Sequence, residues 1–234
     1  MKKFILSFAV VALVAFSANA QEKSFIPTSG DISLEVDFTP FGGAPIQANF
    51  IKGRFFISDN LAVRAGILFT HESYKDNWET PGAGVGGSVL TEEESAAGTE
   101  FGLFPGVELH IGDFNRVSPY IGAEFGFITG SYKYDYSNSD GDEQSIKGFD
   151  PISGNNAYTA IGFNLIAGFD VYILNGLYMG AEMGLGLSTT SFKDVENAVT
   201  PAGGSTTTTT TENNEKYSDI GVIFNPAIRL GWKF

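Results

Sequence analysis

The chain of 234 residues contains no cysteine and only two histidines. The absence of cysteine excludes a disulfide-stabilised scaffold, a thiolate zinc site and a lipid-anchoring cysteine. Basic residues are also scarce: 14 lysines and arginines stand against 27 acids, which gives a formal net charge of −13. This acidity argues against nucleic acid as a partner, because contacts to phosphate need lysine and arginine.

Long apolar runs are almost absent as well, although 43% of the residues are hydrophobic. The main run covers residues 4–16, after two lysines and before small residues at 17–20. This order predicts a secretory signal peptide over residues 1–20. No later run reaches the length of about 18 residues that a transmembrane helix requires. We therefore expect residues 21–234 to form one domain that leaves the cytoplasm without a transmembrane helix.

The apolar residues are instead spread over segments in which apolar and polar side chains alternate. There are eight such segments: 32–38, 51–57, 61–70, 100–111, 120–127, 161–171, 177–187 and 219–234. A strand with this period has one apolar face and one polar face. In a soluble sandwich the apolar faces form a shared core. In a membrane barrel the apolar faces contact lipid and the polar faces line the lumen.

Three features of these segments favour the membrane barrel. Several segments cover ten or more residues, as tilted membrane strands do, whereas soluble strands average about five or six. The polar register is rich in glycine, which a narrow lumen requires. The connections also alternate in length: short ones at 58–60, 113–118 and 175–176 and long polar ones at 74–99, 131–157 and 189–216, with a short first connection at 40–45 as the exception. We predict an all-β fold, an eight-stranded antiparallel up-and-down transmembrane β-barrel with short turns at one rim and long loops at the other.

Two prolines fall inside predicted strands, Pro105 and Pro226. Proline has no backbone N–H and cannot donate to a strand ladder. We therefore expect a bulge or a broken pairing at each of them.

The last predicted strand ends in AIRLGWKF (227–234), in which apolar residues alternate up to a terminal phenylalanine. Together with PYIGAE (119–124) and FGF (125–127), this end resembles the eight-stranded outer-membrane β-barrels of Gram-negative bacteria, the OmpA-like and porin-family proteins. The resemblance implies an outer-membrane location, with periplasmic turns and extracellular loops. It implies that Trp232 and Phe234 form a signal for the barrel-assembly machinery. It also implies a monomer in contact with outer-membrane lipid and lipopolysaccharide.

The charged residues within the predicted strands all fall in the polar register. There are thirteen: Glu35, Asp37, Lys52, Arg54, Arg64, Glu100, Glu108, Glu124, Asp170, Glu182, Asp219, Arg229 and Lys233. Charges in a narrow lumen must be paired or hydrated. We expect a lumen ion network that is either a salt-bridge plug or an ion path gated by exchange of partners.

The three long polar stretches hold 14 acids and 5 bases. The tract 206–211 consists of threonine only and predicts a mobile, low-complexity loop. Such stretches form either a solvated, repulsive surface or a surface for host factors, phage or cations that bridge lipopolysaccharide. We expect a structural or surface-interaction role, with a narrow low-conductance channel as the alternative.

Catalytic and metal-binding motifs are weak. The spacing of His71 and Ser73 resembles the catalytic pair of outer-membrane lipid A deacylases, but no carboxylate that would orient the histidine is identifiable. The segment DGDE at 140–143 lacks the flanking acids of a calcium-binding EF-hand loop. We expect no enzymatic activity, no cofactor and no metal.

Overall fold

The computed structural model describes residues 25–38, 46–80, 89–112, 114–224 and 228–234. Three of the sequence predictions lie outside these ranges: the signal peptide, the short first connection and the effect of Pro226. Within these ranges the regular elements are all strands, and no helix there has the length and apolarity to cross a membrane.

The described residues form fourteen strands. They are β1 (Ile32–Phe38), β2 (Ile46–Ser58), β3 (Leu61–Thr80), β4 (Leu90–His110), β5 (Val117–Asn138), β6 (Glu143–Lys147), β7 (Phe149–Asp150), β8 (Asn155–Asn156), β9 (Tyr158–Tyr172), β10 (Leu177–Phe192), β11 (Val195–Thr200), β12 (Thr207–Thr211), β13 (Lys216–Phe224) and β14 (Ile228–Lys233).

The sheet closes into a ring. Strands β1 to β5 pair in sequence order, β5 pairs with β9, and β9 pairs with β10. The last strand of the ring consists of β13 and β14, which both pair with β10, and β14 pairs with β1. All of these pairings are antiparallel. The prediction of an all-β, eight-stranded antiparallel barrel is therefore confirmed, and closure removes the free edges of the ring.

The two faces of the ring differ sharply in exposure. On β2, Lys52 and Arg54 are 5% and 2% exposed, whereas Phe55 and Ile57 are 46% and 51% exposed. This alternation follows from strand geometry, because successive side chains point to opposite faces. The polar register faces the interior of the ring and the apolar register faces outward. A soluble sandwich would show the reverse, with its apolar faces buried.

Glycines in the interior register make room for large side chains from neighbouring strands. A Cβ at Gly231 would overlap the ring of Tyr178, and a Cβ at Gly168 would lie 2.5 Å from the hydroxyl of Tyr120. Side chains thus cross from strand to strand over the glycines. This is the packing that an interior as narrow as that of eight strands requires.

Pro105 interrupts the pairing of β4 on one side only. The pairing of β4 with β3 continues through Pro105, whereas the pairing with β5 is absent between Leu103 and Gly106. The register is the same on both sides of this gap, so the strand does not bulge. The predicted broken pairing is confirmed, and its cause is the missing N–H of proline.

On one side of the ring the sheet continues beyond the barrel. The pairing of β3 with β4 reaches Thr80 and Leu90, and β5 remains paired with β4 as far as Asn138. Strands β6, β11 and β12 then add to β5 in that order. We call residues 71–80, 90–99 and 131–138, together with β6, β11 and β12, the sheet extension.

Parts of the long polar stretches that were predicted as loops form strands in the sheet extension. The tract 206–211, expected to be a mobile loop, contains β12 and pairs with β11. The apolar alternation ends near residue 70, but polar side chains continue to pair across the strands. Tyr134 and Tyr136 of β5, for example, donate hydrogen bonds to Glu94 and Glu92 of β4 at 3.2 and 2.6 Å. Hydrogen-bonded pairs of this kind stabilise a sheet without an apolar face.

Candidate functional site

A group of buried charges lies at the end of the barrel where β1 begins and β14 ends. Arg54 of β2 contacts three carboxylates from three other strands: Glu35 at 2.6 Å, Glu108 at 3.3 Å, and Asp170. Arg54 is 2% exposed, and Glu108 and Asp170 are fully buried. Each of these residues lies in the interior register, so ring closure brings them together although they are distant in sequence.

Arg229 of β14 shares two of these carboxylates. Its guanidinium lies 3.1 Å from Glu35 and 2.8 Å from Asp170. Glu35 is on β1, so this pair spans the seam where the last strand meets the first. Because each carboxylate accepts from two arginines, its lone pairs are used and its desolvation is offset.

A second cluster surrounds Arg64 of β3. Its guanidinium contacts Glu108 at 2.7 Å, Glu124 at 2.9 Å and Glu182 at 2.7 Å. Lys52 joins the two clusters, because its Nζ lies 3.5 Å from Glu35 and 3.4 Å from Glu182.

We call these nine residues the interior ion network. It contains five carboxylates and four bases: Glu35, Glu108, Glu124, Asp170, Glu182, Lys52, Arg54, Arg64 and Arg229. All four bases contact at least two carboxylates. Buried charges that are paired and hydrogen-bonded avoid most of the cost of desolvation, whereas an unpaired one does not.

The other four residues of the predicted lumen set lie outside this network. Glu100 lies in the half of the barrel next to the sheet extension and accepts hydrogen bonds from Tyr132 at 2.7 Å and Tyr158 at 3.0 Å. Lys233 pairs with Asp31 at 3.5 Å, on the side of the network away from the sheet extension. Asp219 is exposed and Asp37 is half-buried near the end of β1. The register placed all thirteen on one face, but on that face Glu100 and Lys233 have partners other than the nine network residues.

Several aromatic residues of the interior were missed by the sequence prediction. The rings of Tyr120 and Tyr178 each lie 5.4 Å from the guanidinium carbon of Arg54, and their hydroxyls donate to Glu182 at 2.5 Å and Glu35 at 3.2 Å. Their position in the polar register was the available signal. These tyrosines pack beside the arginines and supply donors to the carboxylates.

The sequence prediction also missed an apolar layer, which lies on the side of the network that faces the sheet extension. Phe50 and Phe104 meet edge to face with their centroids 5.3 Å apart. A Cβ at Gly66 would lie 2.7 Å from Phe50, and one at Gly102 would lie 2.9 Å from Phe104. The interior therefore contains two successive layers of side chains, one ionic and one aromatic. Phenylalanines in the polar register were the sequence signal for the second layer.

The residues considered for catalysis or metal binding have other contacts. His71 Nδ1 lies 2.9 Å from Thr99 Oγ1 on the neighbouring strand. Asp142 accepts hydrogen bonds from Asn138 at 3.0 Å and from the backbone of Ala202 at 2.8 Å. Among the residues that the structure describes, no group of three or more histidines and acids is arranged to hold a metal ion.

The strand pairing and the burial pattern define a class: a closed, eight-stranded antiparallel β-barrel with an ionic interior and an apolar outer surface. The solved structures that are similar to the chain include two outer-membrane proteins. One is the outer membrane protein OprG from Pseudomonas aeruginosa, with 12% identity, a TM-score of 0.36, and coverage of 91% of this chain and 99% of that one. The other is a major outer membrane protein from Thermus thermophilus, with 14% identity, a TM-score of 0.35, and coverage of 87% of this chain and 98% of that one. No protein family and no curated protein matches the chain. Because both TM-scores are low, the fold assignment rests on the strand pairing.

Proposed function

We propose that the chain is an integral outer-membrane β-barrel protein with a structural or surface-interaction role. Residues 1–20 direct export and are removed, residues 21–234 form the membrane domain, and the acidic sheet extension faces outward. The role is not catalytic. The proposed partners are outer-membrane lipid and lipopolysaccharide, and the barrel-assembly machinery during biogenesis.

The observation that carries this proposal is the inverted burial of the ring. Large apolar side chains are exposed around the outside, among them Ile67 at 51%, Phe69 at 56% and Leu165 at 54%. Soluble monomers rarely expose continuous apolar surface of this extent. A bilayer would cover it, and the interior position of the charges avoids about 2–4 kcal/mol for each base kept away from the lipid midplane.

The end of β14 supports the proposed assembly signal. Trp232 is 41% exposed on the outer face, and the backbone N–H of Phe234 donates to the carbonyl of Ile32 at 2.8 Å. The terminal residues thus lie at the seam between the last strand and the first. A signal placed there is available before the ring closes.

Membrane insertion is tested by refolding residues 21–234 into detergent micelles and into lipid vesicles. We expect a β-rich circular dichroism spectrum, a gel mobility that changes on heating, and resistance to extraction from vesicles by carbonate. The full chain expressed in Gram-negative cells should appear in the outer-membrane fraction and begin at Gln21. A chain that remains soluble without detergent, with no heat-dependent mobility, would contradict the proposal.

A narrow channel is the second candidate, and the position of Lys52 favours it. Its Nζ lies 3.4–3.5 Å from both Glu182 and Glu35, so it contacts two carboxylates at longer range than the arginines do. A cation that exchanges between two partners could change the closure of the interior. Planar-bilayer recordings test this: a channel would show discrete openings that Lys52→Met alters, whereas a plug would show none in either protein.

A further inference from the structure

Within the described residues, the sheet extension ends in two strand edges that differ in composition. One edge is β3, where residues 71–80 include four charged side chains: Glu72, Lys75, Asp76 and Glu79. The other edge is β12, whose five residues are all threonine. Proteins usually protect exposed edges with charges, proline or bulges, because unpaired N–H and C=O groups accept another strand. The β3 edge has such protection and the β12 edge does not.

The outer side of β12 is open. All five residues of β12 are exposed, and the strand pairs with β11 through Val195–Val199. No strand in the described part of the chain pairs with its other side. Threonine is well suited to a strand, because its branched side chain favours extended backbone. The edge is therefore extended and held in place by β11.

The stretch that contains this edge has an excess of acids. Residues 189–216 hold four acids and two bases, and Glu196 of β11 is paired with Lys147 of β6 at 3.0 Å. Directly after β12, Glu212 and Glu215 are exposed. A chain that pairs with the edge would thus enter a field of excess negative charge.

We propose that the outer edge of β12 binds an extended, basic peptide segment of another protein as an added strand. The backbone groups of the edge supply the hydrogen bonds, and the surrounding acids select for lysine and arginine. A second copy of this chain fits less well, because it would bring the same excess of acids. This inference deepens the proposed surface role and rests on it, since the extension must face outward to meet a partner.

The test uses the refolded full-length mature chain in zwitterionic micelles and a fluorescent peptide of alternating lysine and threonine. We expect binding in fluorescence anisotropy that weakens with salt. Two peptide controls separate the contribution of backbone hydrogen bonds to binding from the contribution of charge. The same peptide with alternate backbone nitrogens methylated cannot complete the ladder, and a glutamate–threonine peptide has the wrong charge. Each should bind about tenfold more weakly or worse.

Two protein variants locate the site. The double variant Thr208→Pro/Thr209→Pro removes one backbone donor from each side of β12 and should weaken binding by about tenfold or more. The matched control is Ser205→Pro, which lies outside β12 on an exposed segment and should leave binding unchanged. Heat-dependent gel mobility of each variant reports membrane-type folding separately, so failure of the peptide test is distinguishable from failure of the barrel.

Three outcomes would overturn the inference. One is the absence of peptide binding by a protein that inserts normally. Another is equal binding of the methylated peptide or equal binding by the double-proline variant, which would indicate a purely electrostatic contact elsewhere. The third is dimerisation without peptide that the double-proline variant abolishes, which would make a second copy the occupant of the edge.

Discussion

Arg54 and Arg64 lie directly opposite each other on β2 and β3, and the carboxylate of Glu108 contacts both guanidinium groups, at 3.3 and 2.7 Å. Like charges in directly opposed positions destabilise a strand pair. Glu108 is fully buried and comes from β4, the next strand in the ring. One carboxylate thus separates two arginines that would otherwise repel each other inside the barrel.

We predict that Glu108→Gln lowers the free energy of unfolding by about 1.5–3 kcal/mol, because the two buried arginines lose the carboxylate that they share, although each keeps two others. The measurement is denaturant-induced unfolding in lipid vesicles. The control is Glu196→Gln, which removes an exposed pair with Lys147 and should cost about 0–1 kcal/mol. Adding Arg54→Met to Glu108→Gln should deepen the loss, because Arg54 also pairs with the buried carboxylates of Glu35 and Asp170. Equal stability of Glu108→Gln and the control would contradict the role of Glu108.

Gly231 is predicted to tolerate no side chain, because a Cβ there would overlap the ring of Tyr178. Gly231→Ala should destabilise the barrel by about 1–3 kcal/mol through overpacking. The control is Gly221→Ala, where the nearest atom among the described side chains lies 3.8 Å from the added Cβ. Gly231→Ala combined with Tyr178→Ala should relieve the overlap. A loss of stability that persists unchanged in the double variant would show that the ring of Tyr178 is not its cause.

The carboxyl of Glu92 in the sheet extension should titrate abnormally. Hydrogen bonds from Tyr136, Thr80 and Trp78 hold the pKa of Glu92 below its ordinary value of 4.5. Because the folded pKa is lowered, this carboxylate stabilises the extension above the unfolded pKa, and the contribution is lost as the pH falls through the folded pKa.

Tyr136→Phe removes the hydrogen bond that lowers this pKa most. We expect the pKa of Glu92 to rise towards 4.5, as followed by NMR titration of the side-chain carboxyl carbon. The control is Tyr74→Phe, because the hydroxyl of Tyr74 donates to Asp76 and not to Glu92. A pKa of Glu92 that moves equally in both variants would show that the hydroxyl of Tyr136 has no specific effect.

Replacing Pro105 should restore the missing backbone pairing between β4 and β5. The gap in the ladder lies on the β5 side, so the donor that proline lacks would face β5. Pro105→Val should restore a backbone hydrogen bond and add about 0.5–1.5 kcal/mol of stability. Amide hydrogen exchange should show protection of residue 105. The control is Leu103→Val on the same face, where the pairing is intact and no gain is expected.

The architecture was readable from the sequence because the period of two is a local property. Alternation along each strand fixes which side chains share a face. A register slip of one residue would place Arg54 or Glu108 on the outer surface. The alternation, the glycines and the charges therefore predicted the barrel and its ionic interior. The same parity would also have placed Tyr120, Tyr178 and Phe104 inside, since they lie in the polar register.

The extent of the strands was not readable in the same way. Beyond residue 70 neither face is apolar, so the hydrophobic pattern that marks a strand disappears. The sheet extension depends on cross-strand contacts such as Trp78 with Glu92 at 2.8 Å. These contacts join residues whose pairing is set by the neighbouring strand and not by local sequence.

Which side chains face inward follows from the sequence, because strand geometry alternates them without reference to the rest of the chain. Which of them meet depends on the folded ring. Closure with a stagger between strands sets the height of each inward residue, so Glu35 meets Arg54 and Arg229 while Glu100, in the same register, meets two tyrosines. The partner of each buried charge is thus decided by the closed barrel. The unpaired edge of β12, among the described residues, is decided by the sheet extension.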